Sequence, residues 1–180
     1  TSTNLGILLC LFTGLRVGEL YGLTWGDIDF AAGALSVKRT VQRINKRGVS
    51  EVIIGSPKSK TSVRIVPIPE FLLDLLLQKK KDSKTFLLSG TMKPVEPRTV
   101  QYRFKATLKA SCVRSVPFHL LRHTYATVCI ANGFDPKTLS ELLGHADASI
   151  TISVQLKNDN RQRQRKQGQN AVQWKYHSRI

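Results

Sequence analysis

The apolar pattern of this chain stops at Leu156, and that stop limits what it can fold into more than any other feature. The next fourteen residues, KNDNRQRQRKQGQN, contain no apolar side chain. They cannot bury enough surface to offset the entropy of ordering them. The core must therefore come from residues 1–156, which is enough for one domain. Residues 157–180 read as a basic, flexible C-terminal tail. Its last stretch, AVQWKYHSRI, regains Trp174, Tyr176 and Ile180 and could dock weakly on this or another molecule.

Within the first span, the punctuation predicts an α+β domain. It is mostly helical, with a small three-stranded antiparallel sheet near the N-terminus. Residues 3–12 are apolar and predict a buried helix. Gly14, Gly18 and Gly22 interrupt the next stretch, leaving one or two helical turns after Arg16. DIDFAAGALSVKRTVQRI reads as a hairpin: a short strand, an Ala-Ala-Gly turn and a β-branched strand. INKRGVSEV is a loop or an extension of that hairpin. SVRIVPIP alternates and predicts a third strand, ended by Pro67 and Pro69. Helices are then predicted over Glu70–Lys80, Glu96–Ser111, His119–Asn132 and Asp135–Leu143. Pro97 and Pro136 suit first turns, and Gly133 and Gly144 suit ends. A short helix around Ser149–Leu156 is a further expectation.

Charge narrows the function. The chain carries 28 Lys and Arg against 12 Asp and Glu, a net charge of +16. An excess of this size points to a polyanion, most often nucleic acid. Residues 1–156 hold 21 of the cations and 11 of the acids; the tail holds 7 and 1. No apolar run approaches the roughly 18 residues of a membrane span. The N-terminal apolar stretch lacks the basic flank and cleavage site of a signal peptide. The chain also lacks an initiator Met and reads as part of a longer protein. Cys10, Cys112 and Cys129 are scattered without metal-type spacing, and read as free thiols of a reducing, cytoplasmic compartment.

Three short motifs could carry chemistry. In His119-Leu-Leu-Arg122-His-Thr-Tyr-Ala-Thr, the spacing of three puts His119 and Arg122 on one helix face near its N-terminus, which favours an anion. Arg supplies a permanent bidentate clamp, and His moves protons near neutral pH. In Thr13-Gly-Leu-Arg16-Val-Gly-Glu19, Arg16 follows a turn from which it can reach a cleft, and Glu19 can hold its guanidinium. In Leu142-Leu-Gly144-His145, a helix stops and presents His145 just beyond. Taken singly, each also fits a blander reading: a helix cap, a solvated ion pair, a turn residue.

Together, in this order, the three motifs resemble the signature of tyrosine recombinases. The spacing agrees, with just over 100 residues from Arg16 to the second motif and 23 from Arg122 to His145. The resemblance covers residues 1 to about 152. It implies a phage- or transposon-type integrase that cuts and rejoins double-stranded DNA without metal or nucleotide cofactor. The family's tyrosine attacks the scissile phosphate and forms a 3′-phosphotyrosyl link. By resemblance, Arg16 and Arg122 stabilise the non-bridging oxygens, with Glu19 in support. His119 acts as acid and base, and His145 hydrogen-bonds the phosphate. A lysine precedes the third strand in this family; in SPKSKTSVRIVPIP, Lys60 fits best and Lys58 second. The resemblance also implies a homo-oligomer on DNA and an N-terminal core-binding domain that this sequence does not contain.

The match then breaks. The family places its tyrosine nine or ten residues after the Leu-Gly-His histidine, where this chain has Val154 and Gln155. Neither side chain is a nucleophile. Tyr21, Tyr102 and Tyr125 belong to the upstream fold. Tyr176, 31 residues beyond His145, is a remote candidate. The abrupt turn to Gln, Arg, Lys and Asn after Ile152 is what a shifted reading frame produces. Two functions are compatible with this pattern: an integrase catalytic domain without its attacking group, or a non-catalytic DNA-binding module on the same fold. A generic basic RNA-binding protein is a third, and predicts no convergence of the motif residues.

Overall fold

The computed structural model describes residues 1–46, 48–55 and 63–144. Lys58, Lys60, His145, Val154, Gln155, Tyr176, the expected helix around 149–156 and the basic tail lie outside the described residues.

The N-terminal helix α1 (Ser2–Thr13) starts where the Thr1 hydroxyl accepts from the Asn4 N–H and ends at Gly14, which has φ 64°. It is apolar on most sides because it is central, the expected pattern for a helix surrounded by protein. It packs against α2 (Val17–Gly22), α3 (Glu70–Leu77), α4 (Pro97–Ala110) and α5 (Leu120–Ala131). Leu5, Leu9 and Cys10 of α1 join Leu20, Leu72, Leu76, Val100 and Phe104 in the main core. A smaller cluster of Ala126, Cys129, Leu139 and Leu143 holds α5 to the last described helix, α6 (Pro136–Leu143).

The three-stranded sheet has the order β1 (Ile28–Asp29), β2 (Ala34–Val37), β5 (Arg64–Pro67), all antiparallel. The Ala-Ala-Gly turn between the first two is held by Asp29, whose carboxylate accepts from the N–H groups of Ala31 and Ala32. This is the local bonding that suits Asp to turns. The chain between Ala34 and Ile44, expected as one strand, is divided between two. It breaks at Lys38–Arg39, where Arg39 turns beneath α2. There it donates to the Gly22 carbonyl and bonds both oxygens of Asp27. β3 (Thr40–Lys46) then pairs with β4 (Val49–Gly55) as a separate two-stranded hairpin. INKRGVSEV, expected as a loop or an extension of the first hairpin, instead gives residues 44–46 and 49–52 to the strands of this second hairpin.

The helix ends follow their caps. Asp135 accepts from the Thr138 N–H with Pro136 next in line, and Gly144 closes α6 at φ 63°. α3 stops at Leu77, three residues short of the expected Lys80. No helix among the described residues is long and apolar enough to cross a membrane.

Candidate functional site

Two left-handed glycines frame the site. Gly14 turns the chain out of α1 at φ 64°, and a Cβ there would stand 2.6 Å from both Leu143 and Tyr125. Gly144 ends α6 at φ 63°, and a Cβ there would meet the Arg64 guanidinium at 3.0 Å. Only glycine fits both the backbone and the close approach. The result brings the end of α1, the start of α2, strand β5 and the end of α6 to one place.

Arg16 and Arg122 meet there. Arg16 Nη1 donates to Glu19 Oε1 at 2.9 Å and to the Leu143 carbonyl at 3.3 Å; Nη2 donates to the Gly144 carbonyl at 2.6 Å. Arg122 Nη2 donates to the same Leu143 carbonyl at 2.7 Å, and Nη1 to the Gly14 carbonyl at 2.7 Å. The last carbonyls of a helix lack intrahelical partners and carry the negative end of its dipole. The end of α6 is therefore a natural seat for cations. Each guanidinium has five N–H groups, more than these carbonyls take up, so both retain donors for a ligand.

Sequence reasoning missed a third arginine. Arg64 on β5 donates from both Nη groups to the two oxygens of Glu19, at 2.9 and 3.0 Å, and from Nε to the Leu142 carbonyl at 2.7 Å. Its side chain is 7% exposed, against 39% for Arg16. Arg64 is walled in while Arg16 reaches the surface. The strand's alternation does not by itself say which face is inward, so it gave no signal for Arg64. Val63 and Ile65 face outward, while Arg64 and Val66 face inward. A cation on the inner face of a strand requires a buried partner.

Glu19 lies between two guanidiniums and also accepts from the Arg16 backbone N–H at 2.8 Å. Burial alone would raise its pKa, but hydrogen bonds and charge from Arg64, then the bonds from Arg16, bring it below the ordinary carboxylate value. Burial, followed by the charge of Arg16, lowers the Arg122 guanidinium to about 9. It is still a cation at neutral pH, but the fold disfavours its charge. Among the described residues, three guanidiniums stand against one carboxylate, a surplus of two positive charges.

His119 stands three residues before Arg122 as the N-cap of α5, not inside the helix, and its side chain caps no N–H. It is exposed, with its ring edge-on to His123 at 5.7 Å. Beneath the cluster, burial and then Glu19 raise the Cys10 thiol well above its usual pKa, so it is no nucleophile. Tyr21 is buried, donates to the Pro97 carbonyl, and is raised to about 12 by burial. Burial also raises Tyr125. Tyr102 is exposed on α4. Arg16 borders a cleft of about 650 Å³ that is also lined by Thr40, Arg43, Arg98 and Gln101. Among the described residues no group of His, Cys, Asp and Glu is placed to hold a metal ion.

An α+β domain that gathers three guanidiniums over one helix end is charged to receive an anion. The phage integrase family matches residues 1–161, and the chain belongs to that family. It is 34% identical to a tyrosine recombinase XerC-like protein of Caldanaerobacter subterraneus subsp. tengcongensis, covering 82% of this chain and 43% of that protein. It is 32% identical to tyrosine recombinase XerA of Thermococcus onnurineus, covering 80% and 47%. The chain spans about half the length of these curated relatives. Among solved structures, the Tn1549 transposon integrase in complex with circular intermediate DNA superposes with a TM-score of 0.64 and 27% identity. That match covers 82% of this chain and 53% of the integrase.

Proposed function

We propose that this chain is the phosphate-binding part of an integrase catalytic domain, acting in site-specific recombination of double-stranded DNA. The observation that carries this reading is the surplus charge at the end of α6. Arg16 and Arg122, distant in sequence and both named by motif, share the Leu143 carbonyl. An in-line phosphoryl transfer needs charge stabilisation on the non-bridging oxygens, and donors held in place beforehand supply it. Arg16 and Arg122 take that role, with Glu19 orienting Arg16. In the transfer this site serves, His119 removes the proton of an attacking tyrosine hydroxyl, a group that this chain does not carry at 154 or 155. As the new P–O bond forms, the bond to the 5′-oxygen breaks. Lys60 protonates that oxygen, and His145 donates to the phosphate; both lie outside the described residues. Bond energy is kept in the covalent intermediate, so no nucleotide is consumed. The working form is a homo-oligomer on DNA in the cytoplasm.

A second reading, a DNA-binding module without cleavage, is favoured by Val154 and Gln155 at the place of the tyrosine. Nicked suicide duplexes of random sequence separate the two. The chain as it stands should bind duplex without forming a covalent adduct, and Val154→Tyr or Gln155→Tyr should form one. An adduct on the unaltered chain that maps to Tyr176 would show that the tail delivers the nucleophile. Duplex binding with no adduct from either tyrosine variant would establish the non-catalytic module.

A further inference from the structure

We infer that Arg64 is a positioning residue of this site, setting the direction in which Arg16 faces a bound phosphate. The inference rests on the reading of Arg16 as a phosphate ligand and adds the part that aims it. Glu19 alone is a poor anchor, because a glutamate three residues along a short helix can swing with its arginine. Here it cannot swing. Arg64 takes both its oxygens in a fork-to-fork pair, the planar geometry that a lysine cannot reproduce. Oε1 and Oε2 are then fixed in space. Each faces one Arg16 group: Oε1 the Nη1, and Oε2 the backbone N–H.

The same guanidinium grips α6. Its Nε holds the Leu142 carbonyl, the residue before the carbonyl that Arg16 and Arg122 share. Gly144 lies against it so closely that a Cβ would come within 3.0 to 3.2 Å of three Arg64 atoms. Arg64 thus ties β5, α2 and the end of α6 into one rigid seat. It does not touch the anion itself. Its Nε and both Nη groups are turned to protein acceptors, and it is 7% exposed.

The test uses the full chain and inorganic phosphate at constant ionic strength, followed through assigned arginine Nε–H signals by NMR. In the unaltered protein, phosphate should shift the Arg16 and Arg122 signals saturably and leave the Arg64 signal in place. An equal shift at Arg64 would overturn the positioning role, and this arm requires no variant to fold. Arg64→Lys, which keeps the charge, should weaken the phosphate affinity about tenfold, and Arg64→Met at least as much. On an Arg16→Lys background, Arg64→Lys should change affinity less than twofold, because its effect passes through Arg16. A merely structural role predicts equal effects on both backgrounds. No saturable shift at Arg16 or Arg122 in the unaltered chain would refute the phosphate reading. A normal shift there, with unchanged affinity in both Arg64 variants, would refute the Arg64 inference alone.

Discussion

Two buried carboxylates of this fold are held by arginine, and they are not equivalent. Asp27 is bonded at both oxygens by Arg39, also accepts from the Thr24 N–H and hydroxyl, and has Lys38 at 3.4 Å. One buried acid faces one largely buried arginine, and the lysine, about half exposed, pairs with the acid from the rim. Glu19 is more crowded: Arg64 and Arg16 take its oxygens and Arg122 stands behind them. The first cluster sets its acid against one largely buried arginine, with a half-exposed lysine at its rim, and staples the break between β2 and β3 to α2. The second carries more cation than it can neutralise, and passes the excess to helix-end carbonyls that only partly absorb it. Buried like charge is costly unless something compensates it. On the proposed reading, a fold that keeps such a surplus in place trades stability for a site that an anion completes.

The sharpest way to break that contrast is to remove one arginine from each cluster. Arg39→Met leaves Asp27 buried with only Lys38 nearby. Losing one partner of a buried pair strands the other charge, so urea unfolding should show a loss of about 2–4 kcal/mol, allowing for the partial exposure of Arg39. Phosphate binding at Arg16 should stay as it is. A loss below roughly 1 kcal/mol would mean that Asp27 and Arg39 form an ordinary surface pair and that the two clusters do not differ in this way.

Arg122→Met should show the opposite signature. Its charge is the one that burial and Arg16 disfavour, and deleting it relieves repulsion. It strands only carbonyls, whose loss of one donor is better tolerated than an orphaned N–H; Leu143 still has Arg16. Unfolding free energy should therefore change by less than about 1 kcal/mol, or rise. Phosphate affinity should fall about tenfold, equivalent to about 1.4 kcal/mol. If Arg122→Met unfolds the protein as Arg39→Met does, Arg122 is a structural staple and the surplus has no functional meaning.

How far each cluster could be read from the sequence depends on the same division. Local partners were legible. Glu19 lies three residues from Arg16 in a Thr-Gly-x-Arg frame, and the cap residues Asp135, Pro136 and Gly144 fixed α6 to within a residue. The Arg16–Arg122 convergence was legible only as a family pattern, because the carbonyl that joins them comes from a third segment. Arg64 was not legible. Its partners lie 45 and 78 residues away, and alternation in SVRIVPIP does not say which face is inward. Two apolar residues out and one arginine in reverses the ordinary expectation. The break at Arg39 was hidden for a related reason: a β-branched run looks continuous until one side chain finds a buried acid elsewhere.

Acid provides the gentlest test of the Glu19 side. Its pKa in the folded chain lies below the ordinary value of about 4.3 that it has when unfolded, so the unfolded state binds the proton more readily. The stability contributed by ionised Glu19 is then fully present above the unfolded pKa and is lost as pH falls through the folded one. Other carboxylates titrate in the same window, so the informative quantity is a difference. Urea midpoints of the unaltered chain and of Glu19→Gln, measured from pH 6 down to pH 3, should converge as pH falls, with the unaltered chain losing more. Two parallel profiles would mean that Glu19 contributes no pH-dependent stability, and that Arg64 and Arg16 are held by the α6 carbonyls alone.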